Sequence, residues 1–459
     1  MLDLDAAARA LDATRSGANA TFTGVTTDSR QVQTGDLFVA LRGERFDGHT
    51  FVDVALSSGA VAALVEQGVP LRVGDAPLIL VRDTRQALGR LAASWRGRFV
   101  LPLAAVTGSN GKTTVKEMLA EMLRAAVGED AVLATIGNLN NDIGVPITLL
   151  RLRDRHRYAV IEMGMNHPGE ISYLTQLARP TVALVTNAGA AHIGEVGSRE
   201  AIARAKGEIY AGLDATGVAL INADDDFAQF WRDLNRGRRV IEFGIDRPAA
   251  VNAQFELSAA GSLMSVSTPD SAYIAQLQVP GLHNVRNALA AAAAGYALGI
   301  APSFAAAGLA AYAGTEGRLE RKTARGGATL IDDTYNANPD SVRAAIAVLA
   351  AAAGKRVLVL GDMGELGEAG PALHAGTGED ARRAGIDHLL TLGELSEAAT
   401  RAFGSGARHF RKLDELCSAL DRLLGRDTTV LVKGSRFMRM ERVVERFVNG
   451  APRRAQGGH

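Results

Sequence analysis

The run Ala105-Val106-Thr107-Gly108-Ser109-Asn110-Gly111-Lys112-Thr113-Thr114 joins an apolar stretch to a helical pattern, and its residue types suit phosphate. Glycines permit a tight turn whose amides converge on phosphate oxygens. A helix start adds partial positive charge, Lys112 adds a full one, and the Thr113 hydroxyl can ligate magnesium. Gly108, Ser109, Asn110, Gly111, Lys112, Thr113 and Thr114 are therefore candidate nucleotide contacts. The common phosphate loop has another glycine where Val106 stands, so this is a shorter TGxxGKT form.

Other polar residues fall where apolar runs end. Glu162 follows Tyr158-Ala159-Val160-Ile161, and a carboxylate there can ligate magnesium beside Thr113; a helix cap or surface acid has the same local pattern. His192 follows the run 181–186, where a lone histidine is commonly structural. Lys206 reads by itself as a solvated helix lysine, and Asn284 as an ordinary helix N-cap. Arg318 lies at an expected domain junction, where it either forms a salt bridge or reaches a γ-phosphate as two domains close. Asp332-Asp333-Thr334-Tyr335-Asn336-Ala337-Asn338-Pro339 directly follows a strand pattern.

The elements that must position these groups follow from periodicity. Short apolar runs at 101–106, 158–163, 181–186 and 218–222, separated by helix-length segments, predict a parallel sheet covered by helices. Alternation at 253–257 and 273–277 predicts appended antiparallel strands, followed by helices at 283–298 and 302–311. Before them, β-like runs at 38–41, 62–65 and 78–81 and a helix at 84–96 form a first unit. After Gly314, runs at 328–331, 357–360, 388–392 and 429–432 predict a second doubly wound unit. The expected fold is thus α/β in three domains: 1–99, a small α/β substrate domain; 100–314, a central parallel-sheet ATPase-like domain; and 315–459, a C-terminal Rossmann-like domain.

A length of 459 residues suits about three domains. The balance of 50 basic against 50 acidic residues gives no electrostatic case for nucleic acid or a membrane surface, so small-molecule partners are expected. The single cysteine, Cys417, excludes an intrachain disulfide framework and fits a reducing, cytoplasmic setting. The N-terminus lacks signal-peptide character. The most apolar stretch, 288–300, is Ala-rich, contains Gly295 and stops before Pro302, as a packed helix rather than a membrane span does. The Arg- and Gly-rich tail from Gly450 reads as disordered.

Taken in order, TGxxGKT, EMG, NxxxAH, AKGE, HNxxN, GRLE and DDTYNANP resemble the Mur ligases, ATP-dependent enzymes that build the peptide of bacterial cell-wall precursors. Segments 137–146, 333–339, 361–367 and 432–436 resemble those members that join D-alanyl-D-alanine to UDP-N-acetylmuramoyl-tripeptide. Thr27-Asp28-Ser29-Arg30, 35–41 and Asp47-Gly48-His49 look like their uridine-diphosphate segment. A DNPR-type motif, expected of the tripeptide-forming relative, is absent from the sequence. The resemblance implies ATP, two Mg2+ ions and an acyl-phosphate intermediate. It also implies that Thr113 and Glu162 hold one magnesium and His192 the second, that Lys206 is carbamylated, that Asn284 and Asn287 meet adenine, and that Arg318 and Asp333 touch the nucleotide. Lys112, Glu162, His192, Lys206 and Arg318 become the catalytic set. Ser29, Arg30, Asn138, Asn141, Asn166, Asn336, Asn338 and Lys433 become candidates for the two substrates. A monomer is expected. The competing readings are another amino-acid ligase of this fold and a non-catalytic ATP-binding protein.

Overall fold

A computed structural model describes residues 1–44, 46–71, 73–189 and 193–448. The expected tail from Gly450 and His192 both lie outside the described residues. Among the described residues, four sheets carry the fold. The first has the spatial order Thr14–Ser16, Leu78–Val81, Ala62–Glu66, Asp36–Val39, Gly24–Thr26, parallel except for the first pairing. Its two outer strands carry too few apolar residues to be read from the sequence, because an edge strand needs only one buried neighbour.

The second sheet is wholly parallel, in the order Arg239–Phe243, Val218–Asn222, Val182–Val185, Leu103–Thr107, Tyr158–Glu162, Val132–Ala134. Its inner strands are almost completely buried, so they read as continuous apolar runs rather than alternating ones. Leu103–Thr107 lies between strands whose connections leave in opposite directions. The carboxyl ends of Leu103–Thr107, Tyr158–Glu162 and Val182–Val185 therefore open a crevice at a topological switch point.

The appended strands form an antiparallel meander, Asn252–Leu257, Ser262–Ser267 and Ala272–Leu277, with a middle strand the sequence reading did not include. Helix Leu282–Ala297 buries its alanines against the central sheet, and no helix among the described residues is long and apolar enough to cross a membrane. The N-cap of this helix is Gly281, at φ +96°, not Asn284. Asn284 sits inside the first turn and donates Nδ2 to the Pro280 carbonyl at 2.8 Å, a local bond that a cap pattern does not distinguish from a cap.

The fourth sheet runs Glu320–Thr323, Thr329–Asp333, Thr428–Lys433, Lys355–Gly361, His388–Leu392, Ala407–Phe410, parallel beyond its first, antiparallel pairing. Buried apolar side chains form clusters on its two faces that are separate from those of the rest of the chain. By contrast, one apolar cluster runs without interruption from Leu4, Phe22 and Leu64 through Leu88 and Trp95 to Leu103, Ile161 and Val185. Helix Thr84–Arg96 makes that connection, with Trp95 Nε1 donating to the Leu152 carbonyl at 3.1 Å and Arg96 Nε to the Ala178 carbonyl at 2.8 Å.

Candidate active site

The turn after Leu103–Thr107 is shaped by two glycines in the left-handed half of φ, Gly108 at +150° and Gly111 at +82°. A β-carbon on Gly108 would fall on the Thr186 hydroxyl, and one on Gly111 on the Asn287 carboxamide. The segment after Val182–Val185 grips this turn. Ser109 N–H donates to the Asn187 carbonyl (2.9 Å), Asn110 N–H to Asn187 Oδ1 (3.0 Å), and Thr186 Oγ1 to the Asn110 carbonyl (2.6 Å). The amides of Ser109 and Asn110 are thus occupied by protein. Those at the start of helix Lys112–Val127 have no preceding helical turn to bond and face an incoming anion. Lys112 Nζ folds back on the Gly108 carbonyl at 2.7 Å.

Around this turn lies a cleft of about 660 Å³, lined among others by Lys112, Thr113, Glu162, Lys206, Asn287 and Arg318. Glu162 is 2% exposed. Its Oε1 accepts from Asn140 Nδ2 at 2.8 Å, its amide donates to Thr135 Oγ1 at 2.9 Å, and its Oε2 is buried without a hydrogen-bond partner. An unpaired buried carboxylate oxygen is costly unless a cation meets it. Among the described residues no three His, Cys, Asp or Glu side chains gather as a metal cage. One carboxylate and one hydroxyl beside a phosphate site fit magnesium, which keeps waters and takes phosphate oxygens as further ligands.

Lys206, expected from its local pattern to be solvated, is instead 1% exposed in the cleft wall. Burial pushes its amine well below the ordinary lysine range, and the nearby charge of Lys112 acts in the same direction. Burial lowers Lys112 as well; Glu162 opposes that shift and Arg318 adds to it.

Groups from beyond Gly314 complete the cleft. Arg318 Nη2 donates to Thr113 Oγ1 at 3.1 Å across 205 residues of sequence. Asn338 Nδ2 donates to Asn110 Oδ1 at 2.8 Å, while Asn338 Oδ1 caps helix Pro339–Ala350 through the Ser341 amide. Asp333 is buried, which raises its carboxyl, against the opposing charge of Lys433 at 2.5 Å. Lys433 also donates to the Asn336 carbonyl (2.9 Å), so its ammonium is engaged by protein atoms. Asn336 is exposed and accepts from the Ala337 amide at 2.9 Å.

Asn166, Asn284 and Asn287 line the cleft, whereas Ser29, Arg30, Asn138 and Asn141 do not. Ser29 and Arg30 form a turn after Gly24–Thr26, with Arg30 Nη2 on Asp28 at 2.7 Å. Asn141 Oδ1 accepts from the Gly144 amide at 2.9 Å at the entry to helix Gly144–Leu150. His49 is likewise engaged, with Nδ1 to Asp47 at 2.6 Å and Nε2 accepting the Glu66 amide at 2.9 Å. Sequence reasoning left Asn140, Asn187 and Tyr335 without roles. All three lie within motifs already singled out, but only contact shows that Asn140 meets Glu162.

A phosphate-binding turn at a parallel-sheet switch point, closed over by a second α/β unit, defines a nucleotide-binding α/β protein with a shared site. The family models described as "Mur ligase family, catalytic domain", "Mur ligase middle domain" and "Mur ligase, glutamate ligase domain" match residues 21–96, 106–295 and 317–436. The chain belongs to the Mur ligase family. It is similar to UDP-N-acetylmuramoyl-tripeptide--D-alanyl-D-alanine ligase of Escherichia coli, at 45% identity over 93% of this chain and 94% of that one. It also resembles the crystal structure of MurF from Acinetobacter baumannii (TM-score 0.90, 37% identity, 96% of this chain and 97% of that one). The MurF ligase of Thermotoga maritima, solved in complex with ADP, matches with a TM-score of 0.81 at 29% identity, over 92% and 96% of the two chains.

Proposed function

We propose that this chain joins D-alanyl-D-alanine to UDP-N-acetylmuramoyl-tripeptide with hydrolysis of ATP, in the cytoplasmic assembly of peptidoglycan precursors. The observation that carries the reading is the cleft itself: the phosphate turn, Glu162 and Lys206 come from one unit and Arg318 and Asp333 from another. Full-length similarity to ligases of that name supports the choice of substrates. A carboxylate is a poor electrophile, so transfer of the γ-phosphoryl group to it makes an acyl phosphate that the dipeptide amine attacks, releasing phosphate. Lys112 and the helix-start amides hold the β- and γ-phosphates, and Arg318 reaches the γ-phosphate. Thr113 and Glu162 would hold a magnesium ion, whose charge lets two anions approach. A second ion, with His192 as its ligand, belongs to the same proposal.

Asn284 and Asn287 serve the adenine, Asp333 the nucleotide, and the Ser29–Arg30 turn the uridine diphosphate. Asn138, Asn141 and Asn166 lie toward the tripeptide, and Asn336, Asn338 and Lys433 toward the dipeptide. Because Lys433 and Asn338 are engaged by protein atoms, they serve the dipeptide mainly by fixing the backbone around Asn336. Divisions near 99 and 314 separate three domains, and the enzyme acts as a monomer. Carbamylation of Lys206 requires its neutral amine to add carbon dioxide with loss of a proton, which the lowered amine favours. A Lys206→Ala enzyme is then inactive and recovers in part with a short carboxylate; full activity without one rules the modification out. For the function as a whole, phosphate release with UDP-N-acetylmuramoyl-tripeptide is expected to require D-alanyl-D-alanine and to match product one to one. Turnover with a free amino acid instead, or none, would reject the proposal.

A further inference from the structure

We propose that Tyr335 is a positioning residue for Arg318, holding the guanidinium toward the phosphate turn with an aromatic face in place of a carboxylate. This rests on the reading of Arg318 as a γ-phosphate contact. The Arg318 Cζ lies 4.2 Å from the centroid of the Tyr335 ring. From that position Nη2 reaches Thr113 Oγ1, while Nε is buried with no hydrogen-bond partner.

The backbones fix the pair from both sides. Tyr335 N–H donates to the Gly317 carbonyl (3.1 Å), and Leu319 N–H to Asp333 Oδ1 (3.2 Å). Arg318 is thereby held between two left-handed residues, Gly317 at φ +67° and Leu319 at +54°. The acid best placed to take the guanidinium, Asp333, is paired with Lys433 instead.

The choice of a ring has a chemical consequence. A carboxylate under Arg318 would occupy donors and cancel the charge needed by a γ-phosphate. An aromatic face attracts the cation and fixes its plane without using any of its N–H donors. The acceptor that Nη2 does meet, the Thr113 hydroxyl, is neutral, so the guanidinium charge is left for an anion.

Steady-state kinetics with full-length enzyme test the assignment. Tyr335→Leu is expected to lower kcat about tenfold, the loss of one desolvated cation–π contact, with a smaller change in KM for ATP. Tyr335→Phe keeps the ring and is expected to recover most of that loss. In an Arg318→Ala background, Tyr335→Leu is expected to add nothing. A Phe variant as impaired as Leu, an equal loss in both backgrounds, or a rise in KM for ATP at unchanged kcat would each overturn it, the last by assigning the ring to the base. Full activity of Arg318→Ala alone would instead overturn the reading of Arg318.

Discussion

Burial changes what ordinary side chains can do, fully at Glu162 and in part at the half-buried His283. Glu162 Oε2 has no protein partner to lose and is costly to bury unpaired, so Glu162→Gln should not lower thermal stability while removing the charge that a cation needs. A drop in kcat of the order of 100-fold or more is expected, the scale of deleting one preorganised electrostatic group, and phosphate-release kinetics alongside thermal denaturation would show it. His283 lines the same cleft, and burial lowers its imidazole from 6.5 to about 4, with Lys433 and Arg286 adding to the shift. Between pH 6.5 and about 4 the unfolded chain binds a proton there that the folded chain does not, so stability falls as pH falls across that window. Melting temperatures of wild type and His283→Gln, compared from pH 7 downward, should show the variant losing less. Equal losses would remove His283 from the acid response.

At the scale of elements, two helical glycines predict opposite outcomes from one substitution. In helix Pro302–Ala311, a β-carbon on Gly308 would fall on the backbone of Met122, where the helix crosses Lys112–Val127. In helix Gly370–Arg383, one on Gly376 meets nothing within 4 Å. Alanine exceeds glycine in a helix by about 0.8–1 kcal/mol, so Gly376→Ala should stabilise by up to that amount. Gly308→Ala should instead destabilise by about 1–3 kcal/mol, because neither backbone can retreat cheaply. Urea unfolding of the pair gives the sign directly. Inner strands such as Val218–Asn222 and His388–Leu392, and helix Thr84–Arg96, were legible because each had a long apolar or amphipathic pattern. Arg239–Phe243, Val132–Ala134 and Ala407–Phe410 were not, since they are short strands at sheet edges, each paired with a single neighbour.

Across the whole molecule, the three units are joined by different physics. The first and central units share one apolar cluster, whereas the unit beyond Gly314 meets the central unit through polar contacts that include Arg318 on Thr113, Asn338 on Asn110, and Gly194 N–H on the Glu365 carbonyl at 3.0 Å. Separating an apolar core exposes its whole area to water, while hydrogen bonds exchange for water at a net cost of about 1 kcal/mol each. Opening and closing should therefore occur at the second junction and leave the first intact. Solution scattering is expected to show compaction when an ATP analogue and UDP-substrate are added. Asn338→Ser keeps a cap for helix Pro339–Ala350 but is too short to reach Asn110, so the ligand-free variant should have a larger radius of gyration than wild type. An unchanged radius in both experiments would mean that the contacts do not govern closure.

The sequence by itself determined the phosphate turn, the run of motifs from Glu162 to Asp333 and the alternation of strand and helix, because each is written in neighbouring residues. It could not say that Lys206 is buried rather than solvated, that Asn284 is not a cap, that Asn140 rather than Asn138 or Asn141 holds Glu162, or that Tyr335 underlies Arg318. Burial and partnership are properties of surfaces that meet only after folding. Asn338 and Asn110 lie 228 residues apart, and no local pattern records that their side chains touch.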